Sequence, residues 1–232
     1  MNDTHKYAFF DVDNTIYEGY TTSGFYLYLV DRGVSPGVIR DKDSELMQLY
    51  RTGVVDYSEA SRRCIAIHAE AIKNLSPAEV AVHADEFISQ NAARLPFAAA
   101  LFSRLEERGF HTYLISASAA PIVEAVGRFL HTDKLFASEL EVENGVFTGN
   151  VAKMLNDEEK KHTIHRIMGH LADKSLKLGF GDSTGDIPML SAVDYAFVIN
   201  PHQKEMSTIT KEKGWNLVTK ESIFVEVEKI LK

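Results

Sequence analysis

The chain has 232 residues, 45% hydrophobic and 25% charged, with one cysteine and a formal net charge of −8. That is enough apolar content for one sizeable core and a small second one, which excludes a disordered tail and a disulfide scaffold. Cys64 has no partner for an intrachain disulfide or a cysteine-rich zinc site, and an acidic balance with scattered Lys and Arg argues against nucleic acid as a partner.

The residues before Tyr7 are polar, leaving no room for a signal peptide's apolar region, and no run approaches the roughly 20 apolar residues that cross a bilayer. The expectation is a cytoplasmic chain with no membrane contact. Tyr7, Ala8, Phe9 and Phe10 then read as a buried strand that runs out into Asp11, Val12, Asp13, Asn14 and Thr15. Strand ends aim side chains into the crevice where open α/β sheets bind ligands. Two carboxylates there make a candidate site, and a polar turn is the plainer alternative.

From Ile16 to Leu95 there is no convincing strand signal. The aromatic run from Phe25 to Val30 stops near Gly33 and Pro36. Asp56 and Glu59 predict a capping box for a helix through Lys73, with Tyr57, Ala60, Cys64, Ile67 and Ala71 on one face. Ser76, Pro77 and Glu79 supply the N-cap, first-turn proline and N3 carboxylate of a second helix burying Val80, Ala84, Phe87 and Ile88. The predicted organisation is an all-helical unit, 17–95, inserted into an α/β core made of 1–16 and 96–232.

After Pro96 strands and helices alternate. A helix through Leu105 closes at Gly109, His111 to Ser116 reads as a strand, and Pro121 to Val126 falls in a helix. Leu135 to Ala137 is a short strand, and Glu139 to Val142 meets Val146 to Thr148 across the hairpin signal Asn144-Gly145. A helix from Glu158 to Leu171 precedes strands at Leu176–Phe180, Tyr195–Ile199 and Trp215–Val218. This succession predicts a Rossmann-like, three-layer α/β fold with a mostly parallel sheet.

In such a sheet the strand ends emerge on one edge, so Asp11, Asp13, Ser116, Asp182 and Asp186 can meet although they lie far apart in sequence. Three aspartates, a hydroxyl and a lysine suit phosphoryl transfer. A phosphomonoester repels a carboxylate nucleophile, so an oxygen-liking cation such as Mg²⁺ must bridge the two. Asp11 and Asp182 can offer oxygens to it, Asp13 its backbone carbonyl, and Asp186 a ligand or an anchor for a metal-bound water. Asp11 can then attack phosphorus while Asp13 protonates the leaving oxygen, with Ser116 and an ammonium steadying the phosphoryl oxygens. Taken singly, Ser116 is a strand-end turn and the two late aspartates decorate a glycine-rich loop. The nine histidines form no HExxH or close cluster that would suggest zinc.

Joined together, FFDVDNT, YLIS and GFGDSTGDIPML resemble the first, second and fourth motifs of the haloacid dehalogenase-like phosphohydrolase superfamily, and nearly the whole chain resembles its phosphoserine-phosphatase-like branch. The resemblance implies a helical cap, Asp11 as nucleophile, Asp13 as acid/base, Ser116 as the phosphate-binding hydroxyl, and Mg²⁺ held by Asp11, the Asp13 carbonyl and Asp182, with Thr15 and Asp186 in support. Lys160 and Lys161 both enter a helix. The resemblance favours Lys160 as the motif lysine, because its spacing to Ile164, Ile167 and Met168 is similar to that of phosphoserine-phosphatase-like relatives, and the other is then a solvated lysine. Asn200 in AFVINP resembles the family's asparagine that positions phosphate or water, although Asn before Pro201 is also a turn signal. The segment YEGYTTSGF departs from phosphoserine phosphatases: Glu18 lies two positions before the acidic residue that receives the substrate amine, and Tyr20 stands in its place. A loop shift would let Glu18 substitute, whereas Tyr17, Tyr20, Phe25 and Tyr28 near the mouth would suit an apolar or hydroxylated leaving group. The expected activity is Mg²⁺-dependent hydrolysis of a small phosphorylated metabolite through an aspartyl phosphate. A small-molecule phosphotransferase and a catalytically weak phosphate-ligand binding or regulatory protein are the competing readings, and oligomeric state is left open.

Overall fold

The computed structural model describes residues 5–171, 174–201 and 203–231. Its centre is strand β1 (Lys6–Phe10), whose Ala8, Phe9 and Phe10 are wholly buried. With side chains alternating across the strand, Phe9 and Phe10 project to opposite faces and need cover on both. Phe10 stacks on Phe180 with ring centroids 4.3 Å apart, and Phe180 on Phe197 at 4.9 Å. Phe9 meets Tyr113 edge-on at 5.2 Å within a second cluster that contains Ile164, Met189 and Val198. Two apolar clusters flanking one sheet give the three layers expected.

The sheet has seven strands in the order β4-β3-β2-β1-β5-β6-β7, with β2 (Phe110–Ala119), β3 (Lys134–Glu143), β4 (Val146–Lys153), β5 (Leu176–Gly181), β6 (Tyr195–Ile199) and β7 (Asn216–Val218). Every pairing is parallel except β3 with β4, the hairpin closed by Asn144 and Gly145, both at positive φ. Helices α5 (Ala98–Glu107), α6 (Ala120–Leu130), α7 (Asp157–His170), α8 (Ile187–Leu190), α9 (Lys204–Lys213) and α10 (Ile223–Ile230) connect the later elements.

Four helices lie between β1 and α5: α1 (Thr21–Asp31), α2 (Val38–Arg51), α3 (Tyr57–Ala71) and α4 (Pro77–Gln90). They hold a small core of their own around Tyr26, Ile39, Leu46, Val55 and Ile67. Ser76 and Glu79 form the reciprocal capping box at the start of α4. At α3 Asp56 accepts from the Glu59 amide, but the Glu59 carboxylate turns to Arg62 and Arg63, so that box is half made. The insert is fastened to the core by backbone bonds from Asn74 to Phe147 and from Phe147 to Leu75, both 2.9 Å, and by the Ala119 amide donating to Thr22 Oγ1 at 3.1 Å.

Three elements run longer than the sequence suggests. The short strand at Leu135 and the first arm of the hairpin are one strand, β3, while β2 continues past Ser116 to Ala119 and β4 past Thr148 to Lys153. The β2–β3 register shifts between Ile115 and Ala119, and this irregular stretch carries the serines that reach the site. Among the described residues no helix is long and apolar enough to cross a membrane.

Candidate active site

The ladder does not stop at Phe10: the Asp11 amide still donates to the Phe180 carbonyl at 3.0 Å. The chain then turns on Val12, whose carbonyl accepts from the amides of Ile16 and Tyr17 at 3.0 and 2.9 Å, with Asn14 at φ 59°. This tight turn holds both carboxylates at the sheet edge. Asp13 accepts from the Thr21 amide, the first of α1, at 2.8 Å and from Ser118 Oγ at 2.6 Å. The Thr15 hydroxyl stands between Asp11 Oδ2 and Asp182 Oδ1, at 3.1 and 3.2 Å.

The second half of the site comes from the end of β5 and the first turn of α7. Asp186 is wholly buried; its Oδ2 accepts from the amides of Asp182 and Ser183 and from Ser183 Oγ, each at 3.1 Å. Residue 181 must be glycine for this loop to close, because a Cβ there would lie 2.6 Å from the Asp186 Cβ. Asn156 caps α7 by accepting from the Glu159 amide at 2.9 Å, and that turn delivers Lys160. Its ammonium, almost fully buried, donates to Asp11 Oδ1 at 2.9 Å and to Asp186 Oδ1 at 2.5 Å.

Carboxylate oxygens of Asp11, Asp182 and Asp186 all lie within 4.8 Å of one another. Burial, reinforced by the charge of Asp186 and only partly offset by Lys160, pushes the Asp11 carboxyl up to about 7. Burial with the charges of Asp186 and Asp11 pushes Asp182 up to about 9. Asp13 is also raised by burial, against the bond from Ser118. Burial disfavours the Lys160 ammonium, but the charges of Asp11 and Asp186 outweigh it and raise that group further. Three crowded carboxylates facing one ammonium favour a cation of higher charge, and oxygen-only donors suit a hard one. Asp11, Asp182 and Asp186 each have an oxygen placed where it could ligate such a cation.

These groups open into a cavity of about 210 Å³ roofed by the helical insert. Asp11, Asp13, Ser116, Lys160 and Asp182 line it, with Thr15 and Asp186 beneath. Two predicted residues, Glu18 and Asn200, are not brought there, and neither is Lys161, the lysine read as solvated. Lys161 is exposed on the far side of α7, in a shallow groove with His165. Glu18 is ion-paired with Lys220 and lies off the cavity wall. Asn200, at φ 41°, sits at the end of β6, two strands from β1, donates its amide to Val218, and is also outside the wall. Of the four aromatics expected at the mouth only Tyr20 lines the cavity; Tyr17 and Phe25 are core residues and Tyr28 packs on Phe87. Tyr50, Tyr57, Met47 and Ser23 take those places. Ser118 also reaches the site, where its hydroxyl donates to Asp13.

A Rossmann-like sheet whose central strand ends carry an aspartate pair, with further aspartates and a buried lysine arriving from β5 and α7, defines a phosphatase. Residues 8–191 match the model of the haloacid dehalogenase-like hydrolase family, and the chain belongs to that family, in its phosphoserine-phosphatase-like branch. It is 28% identical over 185 residues to a phosphoserine phosphatase of Lactococcus lactis subsp. lactis, spanning 77% of this chain and 80% of that one. The fold is similar to a Bordetella pertussis protein of unknown function, with a TM-score of 0.76 at 23% identity over 93% of this chain and 98% of that one. It is also similar to the phospho-aspartyl intermediate analogue of a phosphoserine phosphatase, with a TM-score of 0.60 at 20% identity over 99% and 100%.

Proposed function

We propose that the protein hydrolyses a small phosphomonoester in two steps through an aspartyl phosphate on Asp11, with Mg²⁺ held by Asp11, Asp182 and the Asp13 carbonyl. The observation that carries this reading is Asp11 itself, a carboxylate at the cavity floor with Lys160 2.9 Å away and Asp13 facing the same space. Bound there, the cation would screen the negative charge of nucleophile and phosphate alike. Asp11 attacks phosphorus and the bond to the alcohol oxygen breaks. Asp13, oriented by Thr21 and Ser118, gives that oxygen a proton, and then takes one from the water that releases phosphate from Asp11. Lys160 and Ser116 donate toward the phosphoryl oxygens, and Asp186 holds Lys160 and the β5 loop in place. Residues 17–95 act as a cap that excludes bulk water and meets the leaving group.

The test is phosphate release together with the acid-quenched phosphoenzyme. Both are expected to require Mg²⁺, to vanish with a chelator and return when Mg²⁺ is restored. Turnover at full rate in chelator, or a label on any residue other than Asp11, would defeat this mechanism.

A further inference from the structure

Among the described residues, no Lys, Arg, Asp or Glu of the helical insert lines the cavity. Tyr20, Tyr50 and Tyr57 supply rings, Met47 and Ile65 apolar surface, and Ser23 a hydroxyl. The neighbouring arginines of α3, Arg62 and Arg63, are exposed and both bonded to Glu59. All formal charge on the wall belongs to the core end, where Asp11, Asp13, Asp157 and Asp182 accompany Lys160. That ammonium is already shared between Asp11 and Asp186. A leaving group carrying its own carboxylate would be desolvated here with no cation to receive it, which is costly.

Ser23 adds a direction. Its hydroxyl donates to Asp43 Oδ1 at 3.1 Å, and Asp43 is a buried residue of α2 that also accepts from the Tyr26 hydroxyl. A serine has one proton. With that proton committed to Asp43, Ser23 offers the cavity lone pairs, and the matching group on a ligand is a hydroxyl that donates.

Resting on the phosphatase reading of this site, we infer that the substrate is the phosphomonoester of an uncharged, hydroxylated alcohol. Its carbon face lies against the tyrosines and one of its hydroxyls donates to Ser23. An amino-acid phosphate does not fit this wall.

Three esters of one size separate the possibilities: glycerol 1-phosphate, propyl phosphate and O-phosphoserine, with p-nitrophenyl phosphate as a reference for activity of any kind. With the Mg²⁺-loaded protein, kcat/KM for glycerol 1-phosphate is expected to exceed that for O-phosphoserine by about a hundredfold, the cost of an unpaired carboxylate. It is expected to exceed propyl phosphate by about tenfold, and Ser23→Ala should bring that second ratio near one. Ser61→Arg, which places a cation on the same wall, should narrow the gap to O-phosphoserine. Equal or faster turnover of O-phosphoserine by the unmodified protein overturns the inference, as does activity confined to the aryl ester or a hydroxyl preference that survives Ser23→Ala. No release from any of the four esters would instead sink the phosphatase reading on which the inference stands.

Discussion

The sheet edge and the helical insert face one cavity and build it by opposite means. At the edge the wall is charge: Asp11, Asp182 and Asp186 crowd within 4.8 Å around Lys160, with Thr15 bridging Asp11 and Asp182 across two strand ends and Lys160 joining Asp11 to Asp186. The insert brings rings and hydroxyls, and several of its ionised side chains pair at the surface, as Arg62 does with Glu59 and Lys42 with Glu70. A phosphoryl group presents the same charge in every ester, so the edge can be rigid and polar. Alcohols differ, and selecting among them falls to the surface that carries no charge of its own. Substitutions at the edge should therefore cost chemistry, and substitutions in the insert should cost selection or stability.

The sharpest break in that comparison is Asp11→Asn. Losing the proposed nucleophile is expected to reduce kcat by at least about 10⁴-fold with no phosphoenzyme, read by acid-quench labelling. An active variant would move the chemistry away from the edge. Lys160→Ala comes next. It leaves Asp11 and Asp186 without their shared cation, and removing one partner of a buried ion pair costs about 3–5 kcal/mol. Urea unfolding without Mg²⁺ should show that loss, along with a fall of about 10²-fold in kcat/KM. Exposed Lys161→Ala should stay within about 0.5 kcal/mol. Equal effects at the two lysines would erase the distinction the structure draws between them.

How far these positions can be read from sequence follows from how local their signals are. Asp11 and Asp13 stand after a bulky apolar run, and Asp182 after another, so a parallel sheet alone brings them to one edge. Lys160 is legible because Ile164 and Ile167 mark the buried side of its helix. The bond from Ser118 to Asp13 and the ion pair of Glu18 with Lys220 join residues 105 and 202 positions apart, and no local pattern encodes them. Helix α2 has no capping side chain to mark its start. Helices α9 and α10 likewise begin without one. Tyr50, at the end of α2, reaches the cavity only because that unmarked helix exists.

Inside the insert, His68 offers a pH-dependent test. The ring is buried against Phe25 and Tyr26, at 5.6 and 6.4 Å between centroids, and burial pushes its pKa down from 6.5 to about 4. The unfolded chain takes up this proton below pH 6.5 and the folded one does not until about pH 4. Stability therefore falls as the pH drops through that window and is fully present above it. The loss attributable to His68 is about 3 kcal/mol at its lower end. His68→Leu should flatten the slope of unfolding free energy against pH between 6.5 and 4 relative to the unmodified protein. Identical slopes would mean that His68 is not held neutral by its packing.

Within the insert the smallest effect is expected at Ser76, where the side chain accepts from the Glu79 amide and the Glu79 carboxylate accepts from the Ser76 amide at 2.8 Å. Ser76→Ala removes half of that box and should cost about 1 kcal/mol, read as a lowered urea midpoint with unchanged slope. Helix α4 packs against the core helix α6, with Arg128 bonded to Asp85, and contributes no residue to the cavity wall. Its cap should thus matter for stability and leave kcat and KM untouched under conditions where the protein is folded. A change in kcat with no change in the midpoint would show that the insert does more than select and cover, because a contact remote from both walls would then be setting the rate. That result would require the docking of α4 on α6 to move during turnover.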